Sequence, residues 1–211
     1  MFWRLGGLLM AFACVAGAAE AEIKLVKPDT AGGKPLMEVI AARRSNRSFS
    51  SKALTEQQLS DLLYAANGIS GKDGRRTVPT ARNVQDMDVY AALPQGMYLY
   101  DAASHSLKLA VAGDLRKYCG KQPFHGKAPL VLVYVSNVDK YKAMNMTAKD
   151  AAFYAPNHAG YISQNVYLYA ASAGLSTVVC NMVDKKDLLR RMKLGPQYSV
   201  ILTQPVGVPA E

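Results

Sequence analysis

Three arginines, two serines and an asparagine crowd into Arg43-Arg44-Ser45-Asn46-Arg47-Ser48-Phe49. Guanidinium forks grip phosphate bidentately, and Ser or Asn adds hydrogen bonds to a polyol. Taken alone, the cluster also reads as a solvated helix C-terminus, where the helix dipole favours cations. A second polar segment, Pro79-Thr80-Ala81-Arg82-Asn83-Val84-Gln85, brings further hydroxyl and amide groups. His105, His125 and His158 lack the spacing of a metal site and read as surface or internally satisfied side chains. There is no G-x-S-x-G nucleophile turn and no phosphate-cradling G-x-x-x-x-G-K.

The elements that must position these groups follow from periodicity and capping. Pro35 opens a helix in which Leu36, Val39 and Ile40 recur at helical spacing, ending near Arg43. Thr55 and Gln58 form a capping box for a second helix with Leu59, Leu62, Leu63 and Ala66 on one face, stopped at Asn67-Gly68. A long polar loop is expected from Ser70 to Asn83. Strands are expected over Met87 to Leu93, Met97 to Tyr100, Leu107 to Val111, Pro129 to Ser136, Ser176 to Cys180 and Tyr198 to Thr203. A short helix is expected over Asp114 to Cys119, the longest from about Asn157 to Ala173 with Gly174 as C-cap, and a basic one from Asp184 to Leu194. Helices and strands alternate without regular βαβ order, so the class expected is α+β.

The sequence has 211 residues, enough for one ordinary domain; half are hydrophobic and 19% charged, which excludes a disordered chain. Lys+Arg 25 against Asp+Glu 16 gives a net charge of +9, suited to an anionic ligand, an acidic membrane surface or nucleic acid. Residues 1–21 combine Arg4, the apolar run Leu5 to Ala16 and two A-x-A sites, and read as a cleaved secretory signal. Residues 22–34 are then an extended lead-in and 35–211 the folded domain. The chain is expected to be exported, to the periplasm of a bacterium, with mature residue Ala19 or Glu22 and no stable membrane span. Cleavage removes Cys14; Cys119 and Cys180 either pair in an oxidising compartment or remain buried thiols.

Four segments in order resemble the nitroreductase family of flavin-dependent oxidoreductases. Arg43 to Phe49 is similar to R-R-S-x-R-x-F, and Pro79 to Gln85 to P-S-A-x-N-x-Q, with Thr80 for Ser. Gly160 to Leu168 followed by Gly174-Leu175-Ser176-Thr177 resembles G-x-x-x-Q-N-x-x-L then G-L-G-T, with Ser176 for Gly; Gln204-Pro205-Val206-Gly207-Val208-Pro209 resembles Q-P-V-G-Y-P, with Val208 for Tyr. The likeness covers about residues 36 to 209. The hairpin Gly96 to Asp101 with His105 resembles the branch containing SagB-type thiazoline/oxazoline dehydrogenases.

The resemblance implies a three-layer α/β/α sandwich with a mostly antiparallel central sheet, acting as a homodimer with FMN at the interface. It implies that Arg43, Arg44, Ser45 and Arg47 hold phosphate, ribityl chain and ring edge. Thr80, Ala81 and Asn83 would reach FMN from the other subunit, with Gln85 orienting their loop, and Val179 and Cys180 would line the ring near N5. Family members continue past G-Y-P into a tail whose basic residue grips the phosphate. Here the sequence ends at Glu211, so Arg43, Arg44 and Arg47 are expected to carry that load unless the tail is supplied differently. The implied turnover is ping-pong hydride transfer through flavin N5 between a small-molecule donor and acceptor, with Arg47 as a possible stabiliser of negative charge at the ring edge. Nicotinamide cofactors are expected to be scarce outside the cytoplasm, so the donor is left open between a quinol, a protein and the substrate itself. Two other readings stay open: a non-catalytic flavin- or ligand-binding protein on the same scaffold, and a basic binder of anionic surfaces or nucleic acid, which export argues against.

Overall fold

The computed structural model describes residues 19–211, so all but the last three residues of the expected signal segment lie outside the described part. In chain order the elements are β1 (Glu22–Lys24), α1 (Leu36–Ala42), α2 (Glu56–Asn67), β2 (Met87–Leu93), β3 (Gly96–Asp101) and β4 (Ser106–Ala112). There follow α3 (Phe124–Lys127), β5 (Leu130–Asn137), α4 (Val138–Ala143), α5 (Ala148–Ala173), β6 (Ser176–Thr177), α6 (Lys185–Arg191) and β7 (Tyr198–Gly207). The strands form one sheet in the order β1-β4-β3-β2-β5-β7-β6, antiparallel at every pairing.

Strand β5 explains the layering. Its run Leu130 to Val135 is fully buried because successive side chains point to opposite faces and both faces are covered. Leu130, Leu132 and Tyr134 pack with Leu62 and Leu63 of α2 and Ile162 and Val166 of α5. Val131, Val133 and Val135 face the other way, against Cys119, Leu188 of α6 and Met192 just after it. Each fully buried aliphatic side chain contributes roughly 1.5–3 kcal/mol. The result is the α/β/α sandwich expected from the motifs.

The Thr55–Gln58 capping box is present, with Gln58 N donating to Thr55 Oγ1 at 3.1 Å and Thr55 N to Gln58 Oε1 at 3.0 Å. Gly174 closes α5 in the left-handed conformation at φ 70°. The structure adds to or shifts the expected elements in several places. Helix α5 starts at Ala148 instead of about Asn157, with Thr147 and Asp150 as its capping box, and runs through Pro156. An exposed proline removes one helical bond; Asn157 Nδ2 donates to Phe153 O at 3.0 Å beside the break, and burial of Ala155, His158 and Ile162 holds the helix together. On α1 only Val39 is buried; Leu36, Met37 and Ile40 face outward. The strand expected over Ser176 to Cys180 is cut to two residues plus an isolated bridge from Cys180 to Thr203, whereas β7 runs on to Gly207. The lead-in enters the sheet as edge strand β1, paired with β4.

Candidate functional site

The arginine segment begins where α1 ends. Arg44 Nη1 turns back and donates to Ala41 O and Arg43 O, both at 2.8 Å, satisfying carbonyls that a helix end leaves free. Asn46 N donates to Thr177 O at 2.9 Å and docks the segment on β6, while Asn46 Oδ1 accepts from Ser48 N at 2.9 Å. Ser45 Oγ lies 2.8 Å from Tyr167 OH on α5, and the Arg43 guanidinium sits 5.2 Å from the centre of the Tyr167 ring. Phe49 packs with Ala128, Val178, Cys180 and Phe124. Gly207 permits this seat: a Cβ there would fall 2.5 Å from Pro129 Cδ and 3.4 Å from Phe49 Cδ1. Three motifs far apart in sequence thus meet on one side of the molecule. Arg44, Asn46, Tyr167 and Thr177 line a polar cavity of about 190 Å³ there.

Val179 and Cys180 join the same side. The Val179 amide donates to Tyr167 OH at 2.9 Å and the Cys180 amide to Thr203 O at 2.7 Å, so both donors are already committed within the chain. Cys119 and Cys180 are both free, buried thiols. Burial pushes Cys119 up to about 12; burial also raises Cys180, against the opposing charge of Arg47. Neither is a thiolate nucleophile at neutral pH. Arg43, Arg44 and Arg47 form no ion pair among the described residues, although other surface arginines do, such as Arg116 with Asp114 at 2.7 Å. Three cations left without carboxylates are a standing invitation to an anion.

The second polar segment sits elsewhere. Residues Ala81–Asn83 form one tight turn, and Arg82, Asn83 and Gln85 all adopt positive φ, at 53°, 56° and 47°. Left-handed conformations cost non-glycine residues about 1–2 kcal/mol each, so the surroundings must hold them. Gln85 N donates to Thr80 Oγ1 at 3.1 Å, and Gln85 Nε2 to Asn83 Oδ1 at 3.0 Å. Arg76 Nε donates to Gln85 Oε1 at 3.0 Å, and Lys140 Nζ to Gln85 O at 2.9 Å. The Ala81 amide donates to His158 Nε2 at 2.9 Å. This loop is anchored on α5 at His158, and the arginine segment at Tyr167. The two anchors are nine positions apart on the helix, roughly 14 Å of axial rise. Within one chain the structure brings Arg43 to Arg47 together with Val179 and Cys180, and leaves Thr80 to Asn83 in a separate group.

Sequence reasoning missed two residues. Tyr167 is the hub between Ser45 and Val179, whereas its place on α5 read from sequence allows a pocket-lining side chain and favours packing against the sheet or a dimer partner. His158 is buried with Asp86, 72 positions away, and no local pattern marks that pair. Among the described residues no three His, Cys, Asp or Glu side chains converge on a potential metal site, and no helix is long and apolar enough to cross a membrane.

Fold and site together define an α+β sandwich with an anion-receptive arginine segment. The sequence profile of the nitroreductase family matches residues 40–208. A nitroreductase-family protein of Methanocaldococcus jannaschii is 32% identical over 183 residues, covering 82% of this chain and 90% of that protein. A nitroreductase of Ralstonia eutropha JMP134, known from its crystal structure, superposes with a TM-score of 0.88 at 40% identity, over 92% of each chain. The NADPH:FMN oxidoreductase of Vibrio harveyi shares the fold at a TM-score of 0.61 and 17% identity, over 83% of this chain and 69% of that one. The chain belongs to the nitroreductase family, and at that level it is an oxidoreductase.

Proposed function

We propose that the protein is an FMN-dependent oxidoreductase that moves a hydride or electrons to or from a small organic substrate, working as a homodimer with FMN between subunits. The observation that carries this reading is the set Arg43, Arg44 and Arg47, free of ion pairs among the described residues, beside the Ser45–Tyr167–Val179 link. That donor set fits FMN: guanidinium forks for a phosphate dianion, a hydroxyl and an amide for a polyol, and a positive charge at Arg47 for the ring edge. When bound, FMN supplies reversible two-electron chemistry at N5, which suits ping-pong turnover in one pocket. The chain's own residues bind and orient it; Tyr167 holds Ser45 and the Val179 backbone in register, and Phe49 with Val178 excludes water from one flank.

The dimer is supported by the split of the two polar segments along α5 and by apolar side chains left outside. Met37 is 73% exposed and Phe153 66%, with Leu36, Ile40 and Tyr161 also exposed. On α5, Gly160 lies between Phe153 and Tyr161 in the outward stripe with open space where a Cβ would stand, so another helix can approach closely. A second subunit would bring its Thr80, Ala81 and Asn83 to the first subunit's Arg43, Arg44, Ser45 and Arg47. The SagB-type branch rests on the hairpin Gly96 to Asp101 with His105, and export rests on the segment 1–21; both are part of this proposal.

The absorption spectrum of the purified protein is the first test. Oxidised-flavin bands that bleach with a reductant and return with an acceptor are the expected result. Bands that never recycle with any acceptor would point to a flavin carrier on this scaffold, and a colourless protein that takes up no added FMN would refute the proposal.

A further inference from the structure

Asp86 and His158 are 0% and 1% exposed, and His158 Nδ1 stands 2.6 Å from Asp86 Oδ1. The other carboxylate oxygen accepts from Ser136 Oγ at 2.7 Å. On the far side of the ring, Nε2 faces the Ala81 amide, which can only donate. The tautomer follows: the proton sits on Nδ1 and points to Asp86, and Nε2 carries the lone pair. Tyr141 stacks on the ring at 6.4 Å between centres, with Tyr154 at 6.0 Å on the same helix as His158. Burial raises the Asp86 carboxyl, but hydrogen bonds from His158 and Ser136 outweigh it and hold the group below the usual carboxylate range.

The connectivity is a closed circuit. Asp86 is the residue that ends the 80–85 turn, its backbone oxygen accepting from Asn137 N at 2.9 Å. Its side chain grips His158, and His158 reaches back to Ala81 at the start of the same turn. The segment between carries the three positive-φ residues. We infer that Asp86 and His158 are a positioning pair that locks the Thr80–Asn83 loop in the conformation that meets the flavin. His158 is thus a positioning residue, acting through the Ala81 amide. This rests on the flavin reading proposed above.

Two substitutions separate the functions of the two ring nitrogens. His158→Asn keeps a donor near the Nδ1 position for Asp86 and cannot reach the Ala81 amide. His158→Gln extends an acceptor to the Nε2 position and gives up the bond to Asp86. In the full-length protein, amide hydrogen exchange of segment 79–86 reports the loop directly, and flavin titration reports the site. His158→Asn is expected to speed exchange in that segment and to weaken FMN binding about fivefold to tenfold, with a small change in melting temperature. His158→Gln is expected to bind FMN within about threefold of wild type while melting lower, because the buried Asp86 Oδ1 loses its His158 donor and keeps only the Ser136 bond on the other oxygen. A purely structural role would make FMN affinity follow melting temperature in both variants, and that result overturns the inference, as does unchanged exchange in His158→Asn. Wild-type protein that binds no FMN, with fast exchange in His158→Asn, overturns the flavin reading and leaves the lock standing.

Discussion

The Tyr167 hydroxyl stands 2.8 Å from Ser45 Oγ and also accepts the Val179 amide at 2.9 Å, so one side chain of α5 ties the arginine segment to the stretch just beyond β6. Tyr167→Phe removes both bonds and leaves the Val179 amide without a partner. We expect a stability loss of about 1–3 kcal/mol and an FMN dissociation constant raised roughly tenfold. Thermal melts and flavin titration check this; an unchanged dissociation constant would mean that Ser45 is oriented by something else.

Arg47 and Arg82 should behave differently although both are exposed. Arg47 stands in the segment joined to Val179 and Cys180, whereas Arg82 sits on the tip of the separate turn. Arg47→Ala should cost about 1.5–3 kcal/mol of FMN binding, about 10–150-fold, and lower turnover as well. Arg82→Ala should change affinity by under about 0.5 kcal/mol. Because Arg82 has φ 53°, Arg82→Gly should raise stability by about 0.5–1 kcal/mol. Titration of both flavin and denaturant on the three variants decides among these outcomes.

The outward apolar faces of α1 and α5 should dissociate when charged. Met37→Glu combined with Phe153→Glu is expected to give a folded monomer that has lost FMN, since both positions are exposed and neither supports the core. Sedimentation with simultaneous flavin detection measures it. A monomer retaining one FMN per chain would refute the shared site.

His125 should make the fold acid-sensitive. Its ring is fully buried, Nδ1 donates to Gln122 O at 3.0 Å, and Nε2 has no partner among the described residues. Burial pushes its pKa below the ordinary 6.5, so the unfolded chain takes up a proton here more readily than the folded one. The associated stability is complete above about pH 6.5 and is lost as the pH falls through the lowered folded value. His105 shifts the same way, chiefly by burial, against the opposing hydrogen bond to Val26 and the charge of Asp61. Melting temperature should therefore drop between about pH 7.5 and pH 5, and His125→Phe should shrink that drop. Gly120→Ala tests the packing: its Cβ would lie 2.1 Å from His125 Cε1, and the overlap should cost about 1–3 kcal/mol at any pH.

Local rules in the sequence determined what short-range physics can determine. The Thr55–Gln58 box, the left-handed cap at Gly174 and the doubly buried run Leu130 to Val135 each depend on neighbours within a few residues. The four ordered motifs likewise led to the family and to the α/β/α class, because each motif is contiguous. The tertiary structure alone decided where those pieces meet. Pro156 locally argues for a helix boundary, yet α5 passes through it because burial on both sides outweighs one lost bond. Leu36 and Ile40 have core-like types and helical spacing, but α1 lies at the surface and turns them outward. Asp86 with His158, and Ser45 with Tyr167, are 72 and 122 positions apart. Such pairs carry no local signal; each exists because the long α5 crosses the sheet and presents one residue to each polar segment.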